Sequence, residues 1–276
     1  MTPTDTFQTH RPRLFALAYR LLGSRSDAED IVQDAWLRWQ GADTGVIRDP
    51  EGWLVTATTR LGLDRLRALR SARVEYVGPW LPEPLEIALD PDPLQDPAQR
   101  HALADEVSVA FLALLEQLKP DERAAFLLKD VFDYDYPDIA PLLEHSPANC
   151  RQLVHRARQR LQTGAPRFTV SPAQHRDLLA RFMAASQQGD LEAIRALLGA
   201  ERIAQLYWAI ARRNGQHPAQ LGQVNGEPAI LRFAGDQLHS VTMITVDAGR
   251  IVRVLSVLNP EKLTGLVTAR DAGASF

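Results

Sequence analysis

Between Tyr76 and Pro84 the chain reads YVGPWLPEP, and this stretch limits the possible folds more than any other. Pro79, Pro82 and Pro84 each remove a backbone donor, fix their own φ and push the preceding residue out of the helical region. No helix crosses such a segment. The prolines continue through the acidic run EPLEIALDPDPLQDP, so residues 77–100 read as an extended inter-domain linker without regular structure of its own. Trp80 and Leu81 do not suit a solvated linker, because their apolar surface costs free energy in water. They mark a docking segment. The linker divides the chain into units that must each bury a core, and 276 residues suffice for two or three.

Lys and Arg number 31 against 34 Asp and Glu, a formal net charge of -3. The protein as a whole is therefore not a basic polyanion binder, and any nucleic-acid surface must be local. The N-terminus MTPTDTFQTHRPR has no apolar stretch of signal-peptide length, and no apolar run approaches a membrane span. The expectation is a cytoplasmic protein without membrane contact. A single cysteine, Cys150, excludes an internal disulfide and a Cys-rich zinc site. The seven histidines lack metal-ligand spacing, so neither metal nor cofactor is expected.

Residues 1–76 read as helices. Ser26-x-x-Glu29 has the form of a capping box, and Ala28, Ile31, Val32, Ala35, Trp36 and Trp39 follow at the spacing of a one-sided helix. Its outer face carries Asp27, Asp30, Gln33 and Asp34. The loop GADTGVIRD leads to Asp49-Pro50, an N-cap with proline at the first helical position. The next helix holds Trp53, Leu54, Ala57, Leu61 and Leu66 beside Arg60, Arg65, Arg67 and Arg70. By spacing alone these arginines describe a solvated face and the tryptophans a core, although aromatics beside arginines also stack on unpaired bases.

Residues 101–165 open with an apolar-striped helix, after which three helices fit: Asp121 to Val131, Tyr136 to Leu143, and Pro147 to Leu161. The last two have the anatomy of a helix-turn-helix. Asp135 is placed to cap the first, a tight Glu144-His145 turn follows, and Ser146-Pro147 supplies a cap and an N1 proline for the second. On that second helix Cys150, Leu153, Val154, Ala157 and Leu161 form one stripe. Around the opposite face stand Asn149, Arg151, Gln152, His155, Arg156, Arg158, Gln159 and Arg160, with no acidic side chain between Ser146 and Leu161. A major-groove helix needs such polar groups for base edges and cations for phosphates, while a solvated basic helix in a bundle shows the same residues. Residues 171–276 change from helical pattern to strands. Val224-Asn225-Gly226-Glu227 is a two-residue hairpin turn and Asp247-Ala248-Gly249-Arg250 a second, giving a four-stranded antiparallel meander packed on helices, an α+β domain.

Together the segments RLFALAYRLLGSRSDAEDIVQDAWLRW, DPEGWLVTATTRLGLDRLRALRSAR and LKPDERAAFLLKDVFDYDYPDIAPLLEHSPANCRQLVHRARQRL resemble the two regions of an extracytoplasmic-function (ECF, group IV) RNA polymerase sigma factor. The chain is further similar to the subgroup with a fused C-terminal SnoaL-like domain of the NTF2 superfamily. That subgroup carries a WLPEP signature, here Trp80 to Pro84, and an NPDKL-type signature, here Asn259-Pro260-Glu261-Lys262-Leu263. The resemblance implies a multidomain fold: all-α sigma region 2 over 1–76, the linker over 77–100, a helix-turn-helix region 4 over 101–165, and the SnoaL-like domain over 171–276. That last domain lacks the glycine-rich DGGGK stretch and a strand pair, so its cone is truncated and an inherited ligand pocket is not expected.

The same resemblance assigns roles. Asp30, Gln33 and Asp34, with Trp36 and Arg38, would grip core RNA polymerase. Arg48, Trp53, Arg60, Arg65, Arg67 and Arg70 would open and hold the -10 element. Ser146, Asn149, Arg151, Gln152 and His155 would face the -35 element, with Arg156 and Arg158 over phosphates. Trp80, Leu81 and Pro82 would contact Asn259, Pro260, Lys262 and Leu263, so that the C-terminal domain modulates activity through the linker. No catalytic residue is implied. Two other readings use the same features: a one-component helix-turn-helix regulator with a sensor domain, and an NTF2-like enzyme with a helical appendage. The enzyme reading is weakened because Asp236, His239 and Asp247 lie at or near turns without a convergent acid/base pair.

Overall fold

The computed structural model describes residues 2–72, 81–85, 87–88, 108–164, 172–198, 204–205, 207–209, 217–247 and 249–263. They fall into two compact units, one of residues 1–82 with 111–165 and one of residues 83–110 with 166–276.

In the first unit, α1 (Pro3–Leu22) starts with a capping box. The Asp5 amide donates to Thr2 Oγ1 at 3.1 Å and the Thr2 amide to Asp5 Oδ2 at 3.0 Å. Gly23 ends it in the left-handed region at φ 70°, which favours glycine. There Pro82 lies within van der Waals contact of where a Cβ would stand. The cap of α2 (Arg25–Gln40) is Ser24, not the expected Ser26. Ser24 has extended backbone and its Oγ accepts from the Asp27 amide, whereas Ser26 is already helical. Asp49 caps α3 (Pro50–Ala72) as expected, accepting from the Gly52 amide at 3.0 Å. Leu14, Leu17, Leu21, Ile31, Leu54, Leu63 and Leu66 form the buried core of the three helices.

The rest of that unit holds α4 (Val109–Leu115) from Phe111 onward, α5 (Pro120–Phe126), α6 (Tyr136–Leu143) and α7 (Pro147–Gly164). The helix expected over 121–131 widens to a π-turn at Leu127–Val131. Asp135 occupies the N-cap position of α6, but its carboxylate accepts from Lys129 Nζ at 3.0 Å instead of capping. Glu144 turns the chain at φ 58°, and Ser146 Oγ caps α7 through the Asn149 amide at 3.2 Å. Cys150, Leu153, Val154, Ala157 and Leu161 are all buried, so the apolar stripe of α7 faces inward as its spacing predicts.

The second unit carries α8 (Pro172–Gln188), α9 (Leu191–Leu198), and a fully antiparallel sheet. The meander runs β2 (Ala219–Val224), β3 (Glu227–Ala234), β4 (Gln237–Asp247) and β5 (Arg250–Val257), with α10 (Pro260–Leu263) after it. Asn225 and Gly226 both have positive φ, as a two-residue hairpin turn of this twist requires. Leu178, Leu179, Phe182, Ile194 and Leu197 pack on Ile230, Ile244, Val246 and Ile251 of the sheet. A short linker strand, β1 (Ile87–Ala88), adds a fifth member at the β2 edge, pairing Ile87 with Val224 and Ala88 with Gln223.

Candidate nucleic-acid interface

The α7 surface is built by its cap, its inward stripe and its neighbours. Arg151, Gln152 and His155 are exposed on it. Arg151 lies over the Tyr136 ring at 5.1 Å, which orients the guanidinium by cation–π attraction. Asn149 Nδ2 is 3.2 Å from His145 Nδ1. Further along, the cations are tied down by acids of the same module. Arg158 makes a two-pronged pair with Asp130, its Nε donating to Oδ2 at 2.8 Å, and this hydrogen bond raises the Arg158 pKa. Arg156 and Arg160 both donate to the buried Glu122, at 3.2 and 2.8 Å. Among the described residues, the α7 side chains as far as His155 are thus clear of acid partners.

The α3 arginines are used differently. Arg65 turns inward, its Nε and Nη2 both donating to Asp27 Oδ1 on α2, the first at 2.8 Å. Asp27 is accordingly buried, which corrects its assignment to the outer face of α2. The other three reach the helix-turn-helix module. Arg60 Nη2 donates to Pro141 O at 2.9 Å, Arg67 Nη2 to Asp121 Oδ1 at 2.8 Å, and Arg70 Nη2 to Glu116 O at 3.4 Å. Burial lowers the Arg70 pKa. Trp53 is half-buried, its ring 5.4 Å from that of Trp39, whose indole N–H donates to Pro3 O at 2.8 Å. Arg48 is exposed in the loop before α3.

Two arginines without a sequence signal complete this packing. Arg123 of α5 is only 1% exposed and reaches back to α1, donating from Nη1 to Leu21 O at 2.8 Å and to Glu116 Oε1 at 3.1 Å. The carbonyl end of a helix attracts a cation there. Arg13 of α1 donates to Phe132 O at 3.2 Å, pairs with Glu51 at 3.1 Å, and lies over the rings of Phe132 and Tyr134. Beside it is an open cleft of about 300 Å³ lined by Asp49, Glu51, Asp133, Asp135 and Asp138.

On α2, Asp30, Gln33, Asp34 and Arg38 are exposed, while Trp36 is half-buried against Phe7 at 4.8 Å between ring centroids. Leu37 joins the exposed row at 56% exposure, and Val46 stands 72% exposed in the loop before α3. Sequence reasoning passed over both because an apolar residue is assigned to a core by default. The i, i+3, i+4, i+7 spacing from Asp30 through Gln33 and Asp34 to Leu37 was the available signal.

Trp80 lies outside the described residues. Leu81 and Pro82 belong to the first unit. Leu85 instead meets the sheet of the second, its amide donating to Asn225 Oδ1 at 2.7 Å just before β1. Asn259 caps α10 through the Glu261 amide at 3.0 Å, Pro260 begins that helix, and Lys262 and Leu263 are buried. Among the described residues no cluster of His, Cys, Asp and Glu could hold a metal, and no helix is long and apolar enough to cross a membrane.

Residues 6–72 match the Sigma-70 region 2 family, and residues 108–161 match Sigma-70, region 4. Over nearly its whole length the chain is similar to the ECF RNA polymerase sigma factor SigJ of Mycobacterium tuberculosis, at 35% identity covering 94% of this chain and 92% of that protein. It is 33% identical to SigI of the same species, also named as an ECF RNA polymerase sigma factor, with 94% of each chain covered. The crystal structure of SigJ superposes with a TM-score of 0.72, covering 95% of this chain and 99% of that one.

Proposed function

This chain belongs to the ECF RNA polymerase sigma factors, and from that premise we propose how its surfaces divide the work. The protein binds core RNA polymerase and directs promoter-specific transcription initiation. The helix-turn-helix regulator reading is not favoured, because the sigma relatives match across the C-terminal domain as well. The protein acts in the cytoplasm by binding and strand capture, and the polymerase core supplies the chemistry.

The observation that carries the division is the contrast between acidic and basic exposed rows on separate helices. Asp30, Gln33, Asp34 and Arg38 on α2, with Leu37 among them, form the polymerase face, and Trp36 braces it from behind. Ser146, Asn149, Arg151, Gln152 and His155 on α7 face the -35 element, with Arg156 and Arg158 near phosphates. Arg48 and Trp53 contribute to the -10 surface. Arg60, Arg67 and Arg70 join it by exchanging acceptors on the helix-turn-helix module for phosphates in the promoter complex, while Arg65, the fourth arginine expected there, stays on Asp27 and holds α3 to α2. Reversing Asp30 and Asp34 to Arg leaves the buried stripe of α2 intact and is expected to abolish holoenzyme formation and transcription in a reconstituted assay with core polymerase. Undiminished transcription from the doubly reversed protein would reject the polymerase face.

We also propose that the C-terminal domain modulates activity by holding the linker. In this reading the WLPEP signature, with Trp80, Leu81 and Pro82, opens the linker that is held, and Asn259, which caps α10, with Pro260, Lys262 and Leu263 of that helix, belongs to the domain that holds it. Pairing of β1 with β2 and the Leu85–Asn225 hydrogen bond support this reading. Asn225→Gly keeps the positive φ of the turn but removes the acceptor, so it should free the linker without unfolding the hairpin. Transcription and linker proteolysis are both expected to rise. Wild-type values in both assays would remove the linker from the control.

A further inference from the structure

The helix-facing side of the C-terminal sheet carries polar side chains that transcription initiation does not employ. Register places Arg232 two residues beyond Ile230 on the same face, opposite Ala219 on β2 and Ser240 on β4. Thr242 stands opposite Ile230, and Ser256 opposite Thr242. Thr242 Oγ1 and Ser256 Oγ are 3.1 Å apart. Tyr207, packed against the same core, directs its hydroxyl to Val254 O at 3.4 Å, and burial raises the pKa of its phenol. One guanidinium and the hydroxyls of Ser240, Thr242, Ser256 and Tyr207 therefore cross β3, β4 and β5 beside aliphatic and aromatic walls.

Arg232 is half-buried. Among the described residues no carboxylate or carbonyl pairs with its guanidinium, and burial alone lowers its pKa. Removing a guanidinium from water without a counter-charge is unfavourable, and its planar fork of donors matches a carboxylate. Ser240, at 3% exposure, brings a second polar group into the same dry strip. Two residues along β4 span about 7 Å and one strand step about 4.8 Å, so Ser240, Thr242 and Ser256 span an area the size of one substituted ring.

We infer that this strip binds a small organic carboxylate, its anion on Arg232 and its uncharged polar substituent on the Ser240, Thr242 and Ser256 hydroxyls. One cation beside neutral hydroxyls balances one negative charge, whereas a doubly charged phosphate would remain half uncompensated. The site lies wholly within the second unit, so it holds or fails apart from the sigma assignment.

The test uses the full chain in calorimetric titration and thermal-shift assays with benzoate and salicylate, benzamide as neutral isostere, and inorganic phosphate as general anion. The carboxylates are expected to bind saturably. Benzamide in place of benzoate, or Arg232→Gln in the protein, should each weaken binding by about tenfold or more, as loss of one charge-assisted hydrogen bond does. Ser240→Ala should weaken salicylate. Equal binding by phosphate, retention of carboxylate binding in Arg232→Gln, or no carboxylate binding up to about 10 mM, the regime of the weakest specific ligands, would each overturn the site. A ligand-free measurement tests the premise separately. Arg232→Met keeps the aliphatic stem and removes the unpaired charge, so its Tm should equal or exceed that of the wild type. A clear fall in Tm would show that the guanidinium already has its partner in the fold, and would overturn the proposal.

Discussion

Helices α3 and α7 each carry a row of arginines, and the fold uses the two rows in opposite ways. On α3 the guanidinium groups of Arg60, Arg65, Arg67 and Arg70 all end on protein acceptors, three of them on the helix-turn-helix module. On α7, among the described residues, the ion pairs fall on Arg156, Arg158 and Arg160, and the helix up to His155 keeps Arg151, Gln152 and His155 outward. The difference lies in the acceptors each helix meets. Asp27, Asp121 and the accepting carbonyls of Pro141 and Glu116 surround α3, whereas among the described residues the acids that meet α7, Glu122 and Asp130, reach its later turns. Arginine density on a helix therefore does not by itself identify a DNA surface. The position of the nearest carboxylate does.

The largest effect that would sharpen this contrast is expected at Arg65. Its partner Asp27 is largely buried, so Arg65→Ala leaves a poorly solvated carboxylate without its cation. That should destabilise the first unit by about 2–3 kcal/mol, less than a fully buried pair because the Arg65 side chain is itself half exposed. Urea unfolding of Arg65→Ala, Asp27→Asn and the double variant measures the coupling between them. If the single and double variants unfold like the wild type, Arg65 is not a structural arginine and would join Arg60, Arg67 and Arg70 as a cation that can be released to DNA.

What the chain made legible was local chemistry. Asp49-Pro50, Ser146-Pro147 and Asn225-Gly226 announce a cap or a turn through residues a few positions apart, and each stands where it was expected. The α7 stripe and its outward polar row follow from one period. What stayed hidden depends on partners distant in the chain. Asp27 is as acidic as its neighbours Asp30 and Asp34, and nothing nearby marks it as the acceptor for a residue 38 positions on. Arg13, Arg60 and Arg123 end on the backbone carbonyls of Phe132, Pro141 and Leu21, and a carbonyl leaves no trace in residue identity. The strand at Ile87–Ala88 was equally invisible, because two residues inside a proline-rich linker become a strand only when the β2 edge is open to them. The displaced cap at Ser24 shows the limit of motif matching: the box at Ser26 was formally better, but Gly23 ended α1 and the next helix starts two residues earlier.

A smaller effect, specific to sequence, is expected along α7, where the two classes of arginine share one helix. Arg151 is exposed and steered by Tyr136, and Gln152 beside it is free of acid partners among the described residues. Replacing either by Ala should cost about 1–3 kcal/mol at the base it reads and little at promoters already changed there. Arg158 is held by Asp130, and the hydrogen bond that raises its pKa must be shared or broken before it can meet a phosphate. Arg158→Ala should therefore weaken all promoters alike, lower the salt slope by about one, and do so by less than Arg151→Ala at its own base. Holoenzyme binding to a -35 variant set at two salt concentrations separates these outcomes. Equal losses at every sequence for all three variants would mean that the first turns of α7 touch only phosphate, and the distinction between its free and its paired cations would have no counterpart in recognition.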